Sequence, residues 1–464
     1  MTAFRARVLV GLILMMVTWG SGARAQDPIW WTEQSGTRAE LLGGVVVGSF
    51  IDLSATYYNP GAISLVSNEE VLLSAEAIQY QSLRIKNENN PDNAQTTTRF
   101  GTAPTLFAGL FPSGWLPGRL AYSALTRQDF DVRLDARFNG NADVLAEFAG
   151  EEFYAAETYY DREMTENWFG LTWSQSPKKG FGVGATLYGA YRSKRLRVNN
   201  TAQAVAETGE GATTVIVDQF NYRTFRFLAK IGVALDYSPL QLGLALTTPS
   251  LPFLGSGEAY YNRNVTGLDL DGDGQPDSDL VVDDFEDLSA EYKSPVSVAA
   301  GASYRWERSA VHFSCEWFNG VGRYQVLDLP ASLPDPDVVG TLRRRVTVEL
   351  DPVFNFGLGV ERRFSENYHG YASFRTDFSG ASSGESVPGA PRGWDLYHVG
   401  AGAAASIKGL SLTLGVIYAF GSNTYTSKLD PETANEQNNL MGDPMEKEIA
   451  YRRLKLIVGF AFTL

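Results

Sequence analysis

Hydrophobic and polar residues alternate along the end of the chain. In residues 454–464 one face is wholly apolar and carries Leu454, Leu456, Val458, Phe460, Phe462 and Leu464. Residues 410–420 repeat the pattern with Leu410, Leu412, Leu414, Val416, Tyr418 and Phe420 on one face. A period of two with one apolar face predicts β-strands that have one side in an apolar environment.

Similar segments recur along the chain and give about fourteen candidate strands, the first at residues 70–85. Six short polar turns alternate with long polar stretches at residues 86–99, 139–156, 199–213, 250–289, 319–340, 379–392 and 422–448. A soluble β-sandwich has no reason to place its long loops at one end. The pattern therefore predicts an all-β fold, a transmembrane antiparallel β-barrel of about fourteen strands with both chain ends in the periplasm.

The first 25 residues have the features of a secretory signal peptide. Arg5 and Arg7 precede an apolar segment, and Ala23-Arg24-Ala25 forms a cleavage site before Gln26. Removing these three arginines leaves 36 basic residues against 53 acidic ones, a net charge of −17. Such a balance excludes the basic surface that nucleic-acid binding requires. The single cysteine, Cys315, rules out an intramolecular disulfide framework.

The exported barrel is expected in the outer membrane of a Gram-negative bacterium, in contact with outer-membrane lipid. Its final strand resembles the signal by which the barrel insertion machinery recognises such proteins, although Leu464 stands where an aromatic residue is usual. Nothing in the sequence marks an oligomer interface, so we expect a monomer.

Residues 26–68 form an apolar, glycine-rich segment before the first strand. About fourteen strands enclose a lumen too wide for wall side chains to fill. A disordered periplasmic tail would be polar, whereas this segment carries Leu41, Leu42, Val45, Val46 and Val47. We therefore predict three parts: a signal peptide at residues 1–25, a hatch inside the lumen at 26–68, and the barrel at 69–464.

The hatch segment contains a motif that resembles a known family. The stretch "GGVVVGSFIDLSATYYNPGAISLVS" is similar to the N-terminal hatch of the FadL/TodX family, outer-membrane transporters of long-chain fatty acids and aromatic hydrocarbons. Gly61 replaces the alanine that is usual there. The other matching positions are Asp52, Tyr57, Tyr58, Asn59 and Pro60.

The resemblance implies passive uptake of long-chain fatty acids or other hydrophobic molecules, with no cofactor. Substrate would enter a hydrophobic lumenal pocket, the hatch would shift, and the substrate would leave sideways at a kinked third strand. Asn59 would hydrogen-bond a wall strand and hold that kink, while Pro60 stiffens the turn. The alternative is that Asn59, Pro60 and Gly61 form only a turn that fixes the plug.

The third strand is expected within residues 118–138. It carries four arginines that are candidates for binding a substrate carboxylate, although an arginine row on a lumen wall is common in barrels: Arg119, Arg127, Arg133 and Arg137. The sequence does not decide between fatty acids and aromatic hydrocarbons, because strand register determines which side chains face the lumen.

The longest polar stretch contains an array of carboxylates with calcium-loop spacing. Asp269, Asp271, Asp273 and Asp277 occupy positions 1, 3, 5 and 9, and the Gln275 carbonyl can serve as position 7. Position 12 is not a glutamate, so another ligand would have to complete the shell. We predict a structural Ca²⁺ that orders the loop; the alternative is a solvated acidic loop.

Other classes of barrel fit the sequence less well. A phospholipase-like enzyme needs a serine and a histidine two apart, and His312 and Ser314 have that spacing, but every i, i+2 pair on a strand shares a face. A structural or adhesive barrel needs no apolar plug. A water-filled porin constricts its lumen with a folded loop rather than an N-terminal segment. We therefore expect a transporter and no enzyme activity.

Overall fold

The structure is a computed structural model of the chain. It describes residues 29–66, 70–87, 95–112, 117–270, 275–330, 346–380, 393–407, 410–427, 430–437, 440–443 and 445–463. The predicted signal peptide and Leu464 lie outside these ranges. No helix within them is long and apolar enough to cross a membrane.

Strands account for most of the described residues. Residues 29–66 contain the short helices α1 (Thr37–Leu41) and α2 (Ala55–Tyr58) and a 3₁₀ helix (Pro60–Ser64); a second 3₁₀ helix is Pro431–Thr433. The strands are β1 (Glu70–Asn87), β2 (Gln95–Leu110), β3 (Arg119–Ala142), β4 (Glu152–Lys178), β5 (Phe181–Val205), β6 (Gly211–Tyr237), β7 (Leu240–Thr247), β8 (Leu251–Leu268), β9 (Asp277–Ser289), β10 (Ser297–Trp306), β11 (Ser309–Phe318), β12 (Val321–Gln325), β13 (Thr347–Leu350), β14 (Val353–Arg363), β15 (Tyr368–Asp377), β16 (Leu396–Ile407), β17 (Leu410–Ser427) and β18 (Met445–Thr463).

Fourteen of these strands form a closed antiparallel barrel, as predicted. The wall runs β1 to β7, then β10, β11 and β14 to β18, and β18 pairs with β1. Strands β8 and β9 form a hairpin that pairs with the upper part of β6, and β12 pairs with β13. Strands joined by short turns meet at one end, which is the periplasmic end in outer-membrane barrels.

The outer face of the wall carries the apolar residues predicted to face lipid. On β17, alternate residues from Leu410 to Phe420 are exposed or partly exposed, and on β18 Leu454, Leu456 and Phe460 are exposed. Ten residues at about 3.4 Å each, tilted by about 40°, span about 26 Å. This height matches the apolar band of about 25 Å that outer-membrane barrels present to lipid.

Several regions predicted as long loops are strands instead. Strands β3 to β6 have 24, 27, 25 and 27 residues, far more than the roughly ten that cross a bilayer. Their upper parts extend into the predicted loops at 139–156 and 199–213, and β8 and β9 occupy most of 250–289. The prediction failed because strands beyond the membrane carry polar residues on their outer face. An apolar cluster that includes Tyr154 and Leu440 holds these extensions together.

The wall is irregular between β2 and β3. These two strands pair through five residue pairs, from Leu106↔Leu125 to Leu110↔Ala121, near the periplasmic end. Above them β3 continues along β4 and β2 continues along β1, without further pairing between β2 and β3 in the described residues. Strand β3 also has a register shift between Thr126 and Gln128. The predicted third strand is therefore present, and it bears a bulge at Arg127.

Candidate functional site

Residues 29–66, called the hatch below, lie inside the barrel. Nearly all of them are buried, and Leu41, Leu42, Leu53, Ala62 and Ile63 form one apolar cluster with lumen-facing wall residues. The segment folds with little regular structure because wall strands provide the partners for its backbone groups. The hatch was predicted at residues 26–68, of which 26–28, 67 and 68 lie outside the described residues, and its role as a plug stays a prediction.

The Asn59 side chain connects two parts of the hatch to the wall. Its Nδ2 donates to the Val47 carbonyl at 2.8 Å and to the Val233 carbonyl of β6 at 2.9 Å, and its Oδ1 accepts from the Gly61 N–H at 3.1 Å. The side chain is fully buried. A hydrogen bond to a wall strand was expected, but it goes to β6 and not to the kinked third strand.

Glycines of the wall make room for the hatch backbone. A Cβ atom on Gly232 would lie 2.2 Å from Asn59 Oδ1, and one on Gly243 would lie 1.9 Å from the Val47 carbonyl oxygen. Further lumen-facing glycines contact the hatch on other strands, namely Gly182, Gly184, Gly301, Gly357, Gly359, Gly402, Gly415 and Gly459. The same crowding explains Gly61: a Cβ there would lie 2.6 Å from the Gly232 carbonyl oxygen.

The two tyrosines before Asn59 have different partners. The Tyr57 ring lies between Lys230 Nζ, 4.5 Å from its centroid, and the Arg127 guanidinium, 5.6 Å away. Burial raises the pKa of Tyr57 to about 12 despite the opposing charge of Arg127. Tyr58 Oη donates to Gln34 at 2.8 Å and stays inside the hatch. Asp52 accepts from the Ser54 N–H at 2.8 Å and so stabilises the turn before α2.

The four arginines of β3 divide between the two faces of the wall. Arg119 donates to the Val66 carbonyl at 2.5 Å, and Arg127 donates to the Trp30 carbonyl, so both contact the hatch. Arg133 and Arg137 are exposed on the outer face, 3.6 Å from Asp161 and 3.1 Å from Glu157 respectively. The bulge at Arg127 shifts the alternation by one residue, which places odd-numbered positions inside below it and outside above it.

The first residues of the hatch form an arm across the lumen that the sequence analysis missed. The Trp31 N–H donates to Asp377 at 2.7 Å, its indole donates to Glu316 at 2.8 Å, and Arg375 donates to the Trp31 carbonyl. Glu33 forms ion pairs with Arg453 at 2.6 Å and with Lys455 of β18. The available signal was the charge at positions 453 and 455, which alternate with the apolar residues that face lipid.

A buried carboxyl group lies close to these charges. Glu40 of α1 is fully buried, and neither of its carboxylate oxygens has a hydrogen-bond partner among the described residues. Burial raises the pKa of Glu40 to about 7, although Lys455 lowers it. On the periplasmic side, Arg38 forms a two-bond ion pair with Glu361 at 2.7 and 2.9 Å. Ion pairs with the wall therefore hold the first part of the hatch at two positions, Glu33 and Arg38.

The histidine and serine considered for a phospholipase-like site face the hatch and not the lipid. His312 Nδ1 lies 2.7 Å from Ser49 Oγ, and Ser314 Oγ accepts from the Val47 N–H at 3.3 Å. Both side chains are fully buried. In this arrangement the pair anchors the hatch.

The predicted calcium loop is only partly covered by the described residues. Asp271 and Asp273 lie outside them. Asp277 accepts a hydrogen bond from the Leu270 N–H at 2.9 Å. Asp269 and Gln275 are also among the described residues. Among the described residues no group of three acidic, histidine or cysteine side chains is arranged to hold a metal ion. Calcium binding stays a prediction.

Above the hatch the inner face of the wall carries an apolar cluster, together with buried charged side chains such as Arg162, Lys194 and Asp218. On β1 and on β3 to β6, residues buried inside the barrel alternate with exposed or partly exposed ones on the outer face. The buried apolar set comprises Leu83, Ile85, Val132, Leu134, Tyr160, Leu196, Val198, Phe220 and Tyr222. A cavity of about 270 Å³ lies between β2 and β3 and is lined by Gln81, Leu83, Thr97, Thr98, Asp131, Val132, Arg133 and Tyr451.

No family model and no curated protein matches the sequence. Among solved structures, a Pseudomonas aeruginosa FadL homologue is similar over 95% of this chain and 100% of that one, with a TM-score of 0.57 and 12% identity. The Pseudomonas putida toluene transporter TodX matches over 94% and 100%, with a TM-score of 0.53 and 9% identity. The Ralstonia pickettii toluene transporter TbuX matches over 93% and 99%, with a TM-score of 0.50 and 12% identity. The chain thus has the fold of these outer-membrane proteins, as the hatch motif indicated.

Proposed function

We propose that the protein is a passive channel that takes hydrophobic small molecules, such as long-chain fatty acids or aromatic hydrocarbons, across the outer membrane. The observation that carries the proposal is the apolar cluster in the lumen above the hatch, which includes Leu196, Val198 and Phe220. Water-filled porins have a polar interior. An apolar solute gains about 0.8 kcal/mol for each CH₂ group that it buries in such a lining.

The similar structures support the class of substrate. Two of them are described as toluene transporters and a third as a FadL homologue. A shared fold does not by itself show that two proteins have the same substrate. The apolar upper lumen of this chain is the independent reason to assign it a hydrophobic solute.

A lateral exit between β2 and β3 fits this solute. A hydrophobic molecule gains nothing from release into the aqueous periplasm, whereas a gap in the wall leads directly into the membrane. The five β2–β3 residue pairs lie in the lower part of the lipid-facing band, near the periplasmic end, and the two strands are unpaired above Leu106 in the described residues. The cavity that contains Thr97 and Val132 lies in this gap and touches the lining residue Leu83. We assign the exit to this place.

Movement of the hatch would connect the upper lumen to the exit. In the structure the hatch fills the lower lumen and its residues are buried, so a solute cannot pass it without displacement. Asn59 and Pro60 lie against Gly232 of β6, three strands along the wall from β3. In its position in the structure the hatch closes the channel, and when it shifts it opens the path from the upper lumen to the exit. No nucleotide or cofactor enters this scheme.

Uptake by cells that express the chain tests the proposal. The solutes are a labelled long-chain fatty acid, labelled toluene and a labelled sugar, each compared with cells lacking the protein. In one variant Leu196→Gln and Val198→Gln make the lumen face of β5 polar. In the matched control Arg195→Gln and Arg197→Gln change the outer face of the same strand, where both arginines are exposed.

We expect uptake of at least one hydrophobic solute, several-fold weaker in the lumen variant and unchanged in the control. The sugar should not enter. Sugar entry through the wild type would show a water-filled pore and overturn the proposal. Equal uptake by both variants would show that the apolar lining is not the route. The amount of folded barrel is checked by its heat-dependent mobility in gels.

A further inference from the structure

Two arginines stand together on the outer surface directly above the lipid-facing band. Arg452 of β18 pairs in register with Ser82 of β1, and Arg84 lies two residues further along β1 on the same face. Both arginines are exposed. Diagonal neighbours on adjacent strands have Cβ atoms about 7 Å apart or less, so two arginine side chains can reach one anion between them.

Hydroxyl groups surround this pair. Strand register places Thr98 of β2 beside Ser82, and Thr96 beside Arg84. On the other side, Ser422 of β17 is opposite Ala450, in the same row as Arg84. The two rows contain no carboxylate: one consists of Phe420, Arg452, Ser82 and Thr98, and the other of Ser422, Ala450, Arg84 and Thr96.

The rows below this patch belong to the membrane interface. Tyr80 stands in register with Leu454 and Phe100, and the rings of Tyr80 and Phe100 lie 5.3 Å apart. Aromatic side chains mark the boundary of the apolar band in outer-membrane barrels. The arginines therefore lie two and four residue pairs above the row of Tyr80, at the level of lipid headgroups.

The charge of this patch is opposite to that of the protein. The chain carries a net charge of −14, yet the two rows hold two cations and no acid. Many exposed arginines higher on the barrel have acidic partners, as Arg137 has Glu157 and Arg323 has Glu349. In the next row Glu448, a diagonal neighbour of Arg84, stands opposite Lys86, so this pair adds no net charge to the patch. A cationic patch framed by hydroxyls at headgroup height has the chemistry to bind a phosphate group.

We propose that Arg84 and Arg452, with Ser82 and Thr98, bind a phosphate of a phosphorylated glycolipid in the outer leaflet. The guanidinium groups donate charge-assisted hydrogen bonds to the phosphate oxygens, and the acyl chains lie against Tyr80 and Phe100. The site lies on the outer surface next to the proposed exit, whose cavity Thr98 also lines, and lipid binding there does not depend on the proposed function. It fixes one lipid beside the gap between β2 and β3.

Lipid titration of the purified full chain in mild detergent, read by native mass spectrometry, tests the site. The probes are diphosphoryl lipid A, lipid A from which both phosphates have been removed, and inorganic phosphate. The test variant is Arg84→Gln with Arg452→Gln. The control variant is Arg137→Gln with Arg323→Gln, which removes the same charge from exposed positions elsewhere.

We expect the wild type and the control to bind diphosphoryl lipid A equally, and the test variant to bind it about 30-fold more weakly, since each arginine at a lipid surface contributes about a factor of five. Each single variant should lose about five-fold. Equal binding by the test variant would overturn the site. Equal binding of the dephosphorylated lipid, or displacement of lipid A by inorganic phosphate at the same concentration, would overturn the assignment to a lipid phosphate.

Discussion

Replacement of Asn59 by alanine should release the hatch from the wall. The side chain makes three hydrogen bonds, to the carbonyls of Val47 and Val233 and to the N–H of Gly61, all in a fully buried site. Alanine can make none of them. The wall residues that contact its amide, Gly232 and Gly243, have no side chain that could replace the lost hydrogen bonds.

The size of the effect follows from the one contact that joins the side chain to the wall. Val47 and Gly61 belong to the hatch, so only the bond to the Val233 carbonyl breaks when the hatch leaves the wall. A buried hydrogen bond contributes about 1 kcal/mol net to stability, and an orphaned partner costs about 1–3 kcal/mol. A cost of about 1–3 kcal/mol raises the ratio of displaced to seated hatch about 5-fold to 150-fold.

Planar-bilayer conductance of single channels measures this ratio directly. The wild type should be closed to small ions for nearly all of the recording, and Asn59→Ala should show brief openings at a frequency higher by about one to two orders of magnitude. Asn141→Ala, an exposed asparagine at the far end of β3, is the matched control. If Asn59→Ala folds to the same extent and stays as closed as the wild type, the contacts of Asn59 do not hold the hatch.

Four further outcomes are expected. Gly61→Ala should weaken hatch seating by about 1–3 kcal/mol, seen as openings in the same recordings, because its Cβ would meet carbonyl oxygens of β5 and β6. The pKa of Glu40 is raised to about 7 from 4.5, so its contribution to stability is present below pH 4.5 and is lost as pH rises through 7. The free energy of unfolding, measured in urea, should therefore fall by up to about 3 kcal/mol between pH 5 and 8 because of this group. Glu40→Gln should remove that part of the fall. Calorimetric titration should detect Ca²⁺ binding to the wild type and weaker binding to Asp273→Asn. A wild-type titration without any heat of binding would contradict the predicted calcium site. Thr97→Trp should fill the cavity between β2 and β3 and reduce uptake, whereas the exposed control Thr424→Trp should not.

The lipid-facing half of the barrel could be predicted from the sequence because one rule governs it. Every second residue from Leu454 to Phe460 must be apolar where it meets hydrocarbon, and this produces a period of two in the sequence. The turn at Asn59 and Pro60 was equally visible, since few residues can form it. These features are local in sequence.

The contacts inside the lumen could not be predicted, because they join residues far apart in the chain. Glu33 pairs with Arg453 and Lys455, more than 400 positions away. The bulge at Arg127 also exchanges the two faces of β3. Arg133 therefore lies on the outer face, although a regular alternation would place it on the same face as Arg119. One inserted residue is enough for this change, and the sequence carries no clear sign of it.

Two kinds of contact hold the hatch, and an apolar solute can affect only one of them. The arm depends on buried ion pairs such as Glu33 with Arg453, and breaking such a pair costs about 3–5 kcal/mol because a charge is left without its partner. An apolar molecule offers no charge that could replace it. Around Asn59 and Gly61, in contrast, uncharged backbone of the hatch packs against glycines of the wall, and a few hydrogen bonds hold it there. We therefore expect the arm to remain on the wall while the segment from Val47 to Ser64 moves. A cysteine placed at Ala62 should react with a maleimide faster during hydrophobic solute flow, whereas one placed at Gln34 should not; reaction at both positions would show that the whole hatch leaves as a unit.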